Sequence, residues 1–284
     1  MCFLGNNHMA TFSYIAAYMS IILFWVIILC KCMAYLKRPI HLRWELYPVA
    51  HEKSGRSSHG GSYLEDSEWW RKKQKASLFG GIKGFAGEFF LLRCTFHNNR
   101  ALWFRTYPFH LGLYMLAVTL FLALLVAVLF LSGVQGGIMH FLSILGRIVS
   151  LTAFQGIAGG SLGLLHRRLA LPDMKTYSTP EHFLNLGLFL GLSLWGLALW
   201  LILPSFFDSL CYFMTALISF SFAEQENSLF SLFIIYLFML TAYIPATHMG
   251  HFFMKYILWH DIRWGNQPTQ DSPYLVTWTT RSAP

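Results

Sequence analysis

The sequence predicts an all-α integral membrane protein: a five-helix transmembrane bundle with its N-terminus outside and its C-terminus in the cytoplasm. Three observations predict it. Of the 284 residues, 55% are hydrophobic and only 12% are Asp, Glu, Lys or Arg, whereas a soluble domain spends about a quarter of its residues on charge. Five apolar stretches reach the roughly 20 residues that a bilayer-crossing helix needs. Basic residues crowd into alternate loops, the pattern that fixes orientation. The same composition excludes a disordered tail or a nucleic-acid-binding arm. The net charge of +8 is therefore informative through its position rather than its sum.

Residues 1–35 hold the N-terminus and the first span, 11–35. No charged leader or small-residue cleavage site precedes this run, so it is expected to be retained. The five cysteines (Cys2, Cys30, Cys32, Cys94 and Cys211) form neither CxxC nor CxxCH, which leaves no local signature for an iron–sulfur cluster, a zinc site or covalent haem. Cys30 and Cys32 read as small hydrophobes near the inner end of the span.

Residues 36–107 form the one long polar loop and carry thirteen of the 21 Lys and Arg. The segment 65–75 is charged, and the GGIKGFAGEFFLLRCTF that follows it is amphipathic enough to lie on a membrane surface. Two readings stay open for this loop: a basic surface drawn to anionic headgroups, or a docking platform for a cytoplasmic subunit.

Residues 108–258 contain four further spans, at 108–131, 138–165, 182–203 and 229 to about 253, and 259–284 are a cytoplasmic tail. The stretch 205–222 is apolar but interrupted by Asp208, and reads as an interfacial or re-entrant piece. Arg167, Arg168 and Lys175 mark the third loop as cytoplasmic, as Lys255, Arg263 and Arg281 do the tail. The loops at 133–137 and 205–228 have no Lys or Arg. No internal repeat is visible, which argues against a transporter built from inverted halves.

Twelve histidines are many for a membrane chain. His41, His51, His59 and His97 fall in the polar loop and His260 in the tail, where solvation suffices. His166 and His182 flank the third loop. His110 begins the second span, and His248 and His251 end the fifth, so chain direction puts all three in the cytoplasmic half of the bilayer. Imidazoles at that depth on two helices suit the clamping of a haem, each giving one nitrogen to iron. The plainer reading is a set of helix-end histidines bonded to backbone. His248 and His251 lie three apart on one face, so one can ligate while the other supports it, and Pro245 before them is expected to kink the helix.

Four segments carry a resemblance. YIPATHMGHFFMKYILWHDIRWG at 243–265, RALWFRTYPFHLGLYML at 100–116, LLHRRL at 164–169 and YSTPEHFLNL at 177–186 together resemble the membrane cytochrome b family of the respiratory nitrate reductase gamma subunit. They are most like the subunits of Tmc-, Dsr- and heterodisulfide-reductase-type complexes. The resemblance implies a haem b nearer the cytoplasm, with His110 as one axial ligand, His251 as the other, six residues after Pro245, and His248 as the substitute. It also exposes a departure. The two-haem members have a histidine about three turns after the first ligand, where this chain has Leu120, and another about five turns before the last, where it has Phe233. One haem is therefore expected, and the family's outer quinone site is in doubt. His140, at the outer start of the third span, and Arg147, about two turns deeper, remain candidates to bind a quinone or a haem propionate. Asp208 is a third option for Arg147.

The function this implies is an electron-transfer subunit rather than a catalytic chain by itself. It would sit in a bacterial or archaeal cytoplasmic membrane and pass electrons between a donor, menaquinol or a membrane or periplasmic one, and a cytoplasmic iron–sulfur subunit. Other membrane subunits and a periplasmic multihaem cytochrome c are further candidate partners. The rivals are a haem-less membrane anchor or assembly subunit, and an ion transporter; the transporter would need acidic residues within the spans before residue 203, where none stands at membrane depth.

Overall fold

The computed structural model describes residues 2–36, 78–203, 205–225 and 227–253, and among these it contains nine α-helices and no strand. The helices are α1 (Cys2–Leu36), α2 (Leu78–Leu91), α3 (Arg93–Asn98), α4 (Arg100–Leu131), α5 (Gly137–Ala170), α6 (Pro172–Tyr177), α7 (Pro180–Ile202), α8 (Phe206–Ile218) and α9 (Ser228–Ala246). Five are long and apolar enough to cross a membrane: His8–Tyr35 of α1, and α4, α5, α7 and α9. The chain falls into two compact units, residues 1–24 with 94–243, and residues 25–93 with 244–284.

The first unit is built around a hairpin of α4 and α5. Asn99 starts α4 by accepting the Leu102 N–H at 2.9 Å, the usual work of an N-cap. The helix thus begins about two turns before the expected start at 108, and Pro108 lies inside it. Such a proline is tolerated in a membrane helix when packing re-satisfies the freed carbonyl. The hairpin turns at Gly133 and Gly136, both with positive φ (79° and 90°), a conformation glycine adopts without strain.

Glycines decide how closely the hairpin closes. A Cβ on Gly112 of α4 would strike the backbone of Ala153, Gly156 and Ile157, and one on Gly160 of α5 would strike Phe109. Gly156 and Gly160 are four apart, the small-xxx-small spacing that lets membrane helices approach. On the next face of α5, Phe154 fills the place where Gly196 of α7 has no side chain, and Trp200 Nε1 donates to Arg147 O at 3.3 Å. α7 in turn receives Tyr236 of α9, whose hydroxyl donates to Leu188 O at 2.7 Å. α4 and α7 therefore run parallel, with α5 antiparallel to both.

α8 is the apolar piece expected to be interfacial or re-entrant. At 13 residues it spans about 20 Å, too short for a bilayer core of about 30 Å. Yet Phe206, Phe207, Leu210, Phe213, Met214 and Leu217 are buried. Phe207 occupies the space over Gly146 of α5. Asp208 is exposed at the bundle edge, where Ser143 Oγ donates to its Oδ1 at 2.5 Å. α1 closes over α8: Tyr14 stacks on Phe213 with ring centroids 4.6 Å apart, its hydroxyl accepts from Gln225 Nε2 at 2.8 Å, and Tyr18 donates to Leu217 O at 2.5 Å.

The second unit contains the later part of α1, α2, and the chain after Tyr243. α2 leaves Phe79, Ile82, Phe90 and Leu91 exposed and stops at Leu92, whose φ is 49°. α9 ends at Ala246, whose carbonyl accepts from Lys31 Nζ of α1 at 3.0 Å. Large apolar side chains stay exposed along every span, Phe12, Ile22 and Leu29 of α1 among them; on a chain with five such helices they face the lipid bilayer.

Candidate functional site

His110 lies in the first unit, half-buried on α4 just after Pro108. Its Nδ1 is 2.8 Å from Thr106 O, one turn back along the same helix. A proton on Nδ1 donated to that carbonyl fixes the tautomer and makes Nε2 the basic nitrogen of the ring. This is how backbone groups commonly orient a metal-ligating imidazole. The ring lies against Phe109 and Tyr114, with centroids 5.6 and 6.5 Å away. Phe109 is itself buried, edge-on to Phe189 of α7 at 5.3 Å.

His248 and His251 lie in the second unit, both exposed. The fifth span is broken where a kink is expected: α9 stops at Ala246, a 3-10 turn, His248–Gly250, follows, and helical backbone resumes over 251–253. Pro245 has no N–H to continue the ladder, and Thr247 starts the new turn by accepting the Met249 N–H at 3.2 Å. His251 Nδ1 stands 3.4 Å from His248 O. That contact orients the ring in the sense seen at His110, more loosely.

Leu120 and Phe233, the two positions singled out for lacking histidine, both lie in the first unit. Leu120 is half-buried in α4. Phe233 is buried in α9, its ring centroid 5.9 Å from Phe154, 5.8 Å from Phe206 and 6.3 Å from Trp195. Rings from α5, α7, α8 and α9 thus meet at Phe233.

His140 is exposed in the first turn of α5. Arg147, two turns on, places Nη2 4.0 Å from Asp208 Oδ2, so of its three expected partners the acidic one is present. Both side chains are well exposed and the separation is at the limit of an ion pair, an arrangement that contributes at most about 1 kcal/mol.

Three buried donors lack a hydrogen-bond partner among the described residues: Ser161 Oγ, Asn185 Nδ2 and Ser231 Oγ. A buried donor left so costs about 1–3 kcal/mol. Sequence reading passed over all three, although Asn185 is an amide within a span and so a functional candidate by default. It equally missed Thr106, whose contribution is a backbone carbonyl.

No group of three or more His, Cys, Asp or Glu converges among the described residues; a two-ligand haem site requires none. His41, His51, His59, His260, the basic run at 37–77 and the tail beyond 253 lie outside the described residues. Compared with protein-family models, with curated proteins and with solved structures, the chain matches none.

Proposed function

We propose that this chain is a membrane cytochrome b subunit of the nitrate reductase gamma type, holding one haem b through His110 and His251, with His248 as the substitute ligand. The observation that carries the reading is the His110 ring. It is an imidazole within a membrane-spanning helix, with Nδ1 2.8 Å from Thr106 O, so the nitrogen opposite is a base suited to iron. The same sense of orientation at His251 supports it. Bound there, haem b supplies one-electron transfer at a potential set by its ligands and surroundings.

The chain's own residues do the remainder. Thr106 O and His248 O hold the imidazoles in one tautomer. Phe154, Phe206, Phe233 and Trp195 exclude water and leave no outer ligand, which favours a single haem over two. The basic residues of 36–107 give a cytoplasmic iron–sulfur subunit a positive surface to dock on. Electrons come from menaquinol, or from a neighbouring membrane or periplasmic donor, in a bacterial or archaeal cytoplasmic membrane.

The test is a dithionite-reduced minus oxidised spectrum of the purified full chain, with a pyridine haemochrome assay. One b-type haem per chain is expected. Two haems would overturn the single site and direct attention to His140. No haem would overturn the cytochrome reading and leave a membrane anchor or assembly subunit.

A further inference from the structure

Two of the orphaned donors lie on neighbouring stripes of α5 and α7 in the first unit, about one helical turn apart along the axis. Asn185 on α7 is 2% exposed and Ser161 on α5 is 0% exposed. Tyr243 of α9 donates its hydroxyl to Asn185 Oδ1 at 2.8 Å. That bond fixes the amide's orientation, with Oδ1 used as an acceptor and Nδ2 left to donate elsewhere.

Helix register places this pair near His110. Phe189 touches Phe109, the neighbour of His110, and Asn185 is one turn from Phe189 toward the α7 start, about 5.4 Å along the axis. Gly160, next to Ser161, packs on Phe109, and Gly163, two residues on, packs on the stem of Arg105. The guanidinium of Arg105 itself turns back along α4, Nη1 donating to Ala101 O at 3.3 Å. Asn185 continues the buried stripe of Phe189, Leu192 and Gly196, and Ser161 that of Phe154 and Ala158; these stripes meet where Gly196 receives Phe154. The third orphan, Ser231 Oγ, is in the first turn of α9, at the other end of the unit, and takes no part.

We propose that Asn185 Nδ2 and Ser161 Oγ donate hydrogen bonds to a carboxylate of the haem ligated by His110, with Tyr243 as the group that holds the amide in place. The assignment rests on the proposed function. Its chemistry is that of an oxygen acceptor about one helical turn from His110 along α4. Two neutral donors would lessen the pull of that carboxylate on the iron's positive charge and so would raise the haem midpoint potential. A quinone carbonyl is an acceptor of the same kind from a different source.

The experiment compares the full-length chain with Asn185→Leu and with Ser161→Ala, which removes one oxygen and preserves the fold if the larger change does not. Haem stoichiometry, spectroelectrochemical midpoint potential and the carboxylate bands of the redox-difference infrared spectrum are recorded. One haem retained, a lower midpoint and shifted carboxylate bands in either variant are expected. Retained haem with unchanged midpoint and unchanged bands in both overturns the assignment while the proposed function stands. Loss of menaquinone-analogue binding with an unchanged midpoint also overturns it, by moving the donors to a quinone. A wild-type chain without haem sinks the function reading itself, and this one with it.

Discussion

A histidine in an apolar helix must satisfy two ring nitrogens, and His110 does so for one of them with the carbonyl of Thr106. His110→Ala is therefore expected to abolish the b-type absorbance of the purified chain. His251→Ala should do the same and His248→Ala should not, because His251 is the proposed ligand and His248 its substitute; the reverse outcome in the pyridine haemochrome assay would make His248 the ligand. Phe233→Ala tests the packing claim in a position without ligand chemistry. Removing a ring buried among Phe154, Phe206 and Trp195 should destabilise the chain by about 3–5 kcal/mol, seen as a lower unfolding temperature in detergent. At this scale the sequence made residue type legible: a histidine at span depth, and Leu120 and Phe233 where histidines would be needed. It did not make Asn185, Ser161 or Thr106 legible, since their importance depends on which way each helix is rotated and on what the neighbouring helix leaves unpaired.

Existence and number of the spanning helices were readable from apolar length, whereas their ends and their closest contacts were not. Pro108 looks like a helix start, yet Asn99 caps the chain earlier and packing carries the helix past the proline. Asp208 interrupts the apolar stretch, and it sits exposed with Ser143 as its hydrogen-bond partner while the aromatic face of α8 goes inward. Pro245 promised a kink and gives a sharper break, because Thr247 begins a 3-10 turn before helical backbone resumes over 251–253. The glycines of α5 were legible in principle, through the spacing of Gly156 and Gly160, and they yield a discriminating prediction. Gly160→Ala puts a methyl into the backbone of Phe109, while a Cβ on the adjacent Gly159 meets nothing within 4 Å. Gly160→Ala should destabilise by about 1–3 kcal/mol and Gly159→Ala should be neutral or slightly stabilising, as glycine replacement in an exposed helix usually is. Equal unfolding temperatures for the two variants would mean that α4 and α5 do not approach as closely as this seam requires.

For the whole molecule, the deciding quantity is where the basic residues fall. Thirteen of 21 Lys and Arg occupy residues 36–107, three more the segment between α5 and α7 and its approach, and three the tail, while residues 132–136 at the α4–α5 turn hold none. Each Lys or Arg near the surface of an anionic leaflet contributes about 1 kcal/mol of attraction, so the sum over the long loop outweighs any opposing bias elsewhere in the chain. The α4–α5 turn should then face outside and the tail should stay in the cytoplasm. Gln135 is exposed in that turn, so Gln135→Cys in a chain stripped of its native cysteines should react with a membrane-impermeant maleimide added to intact cells. A fluorescent protein fused after Pro284, which folds only on the cytoplasmic side, should glow in the same cells. An unreactive Cys at 135 with a dark fusion would invert the chain, carrying His110 and the basic loop to the outer face. A cytoplasmic iron–sulfur partner would then have no surface to meet, whereas the proposed haem, being a matter of its two histidine ligands, would be untouched by the inversion.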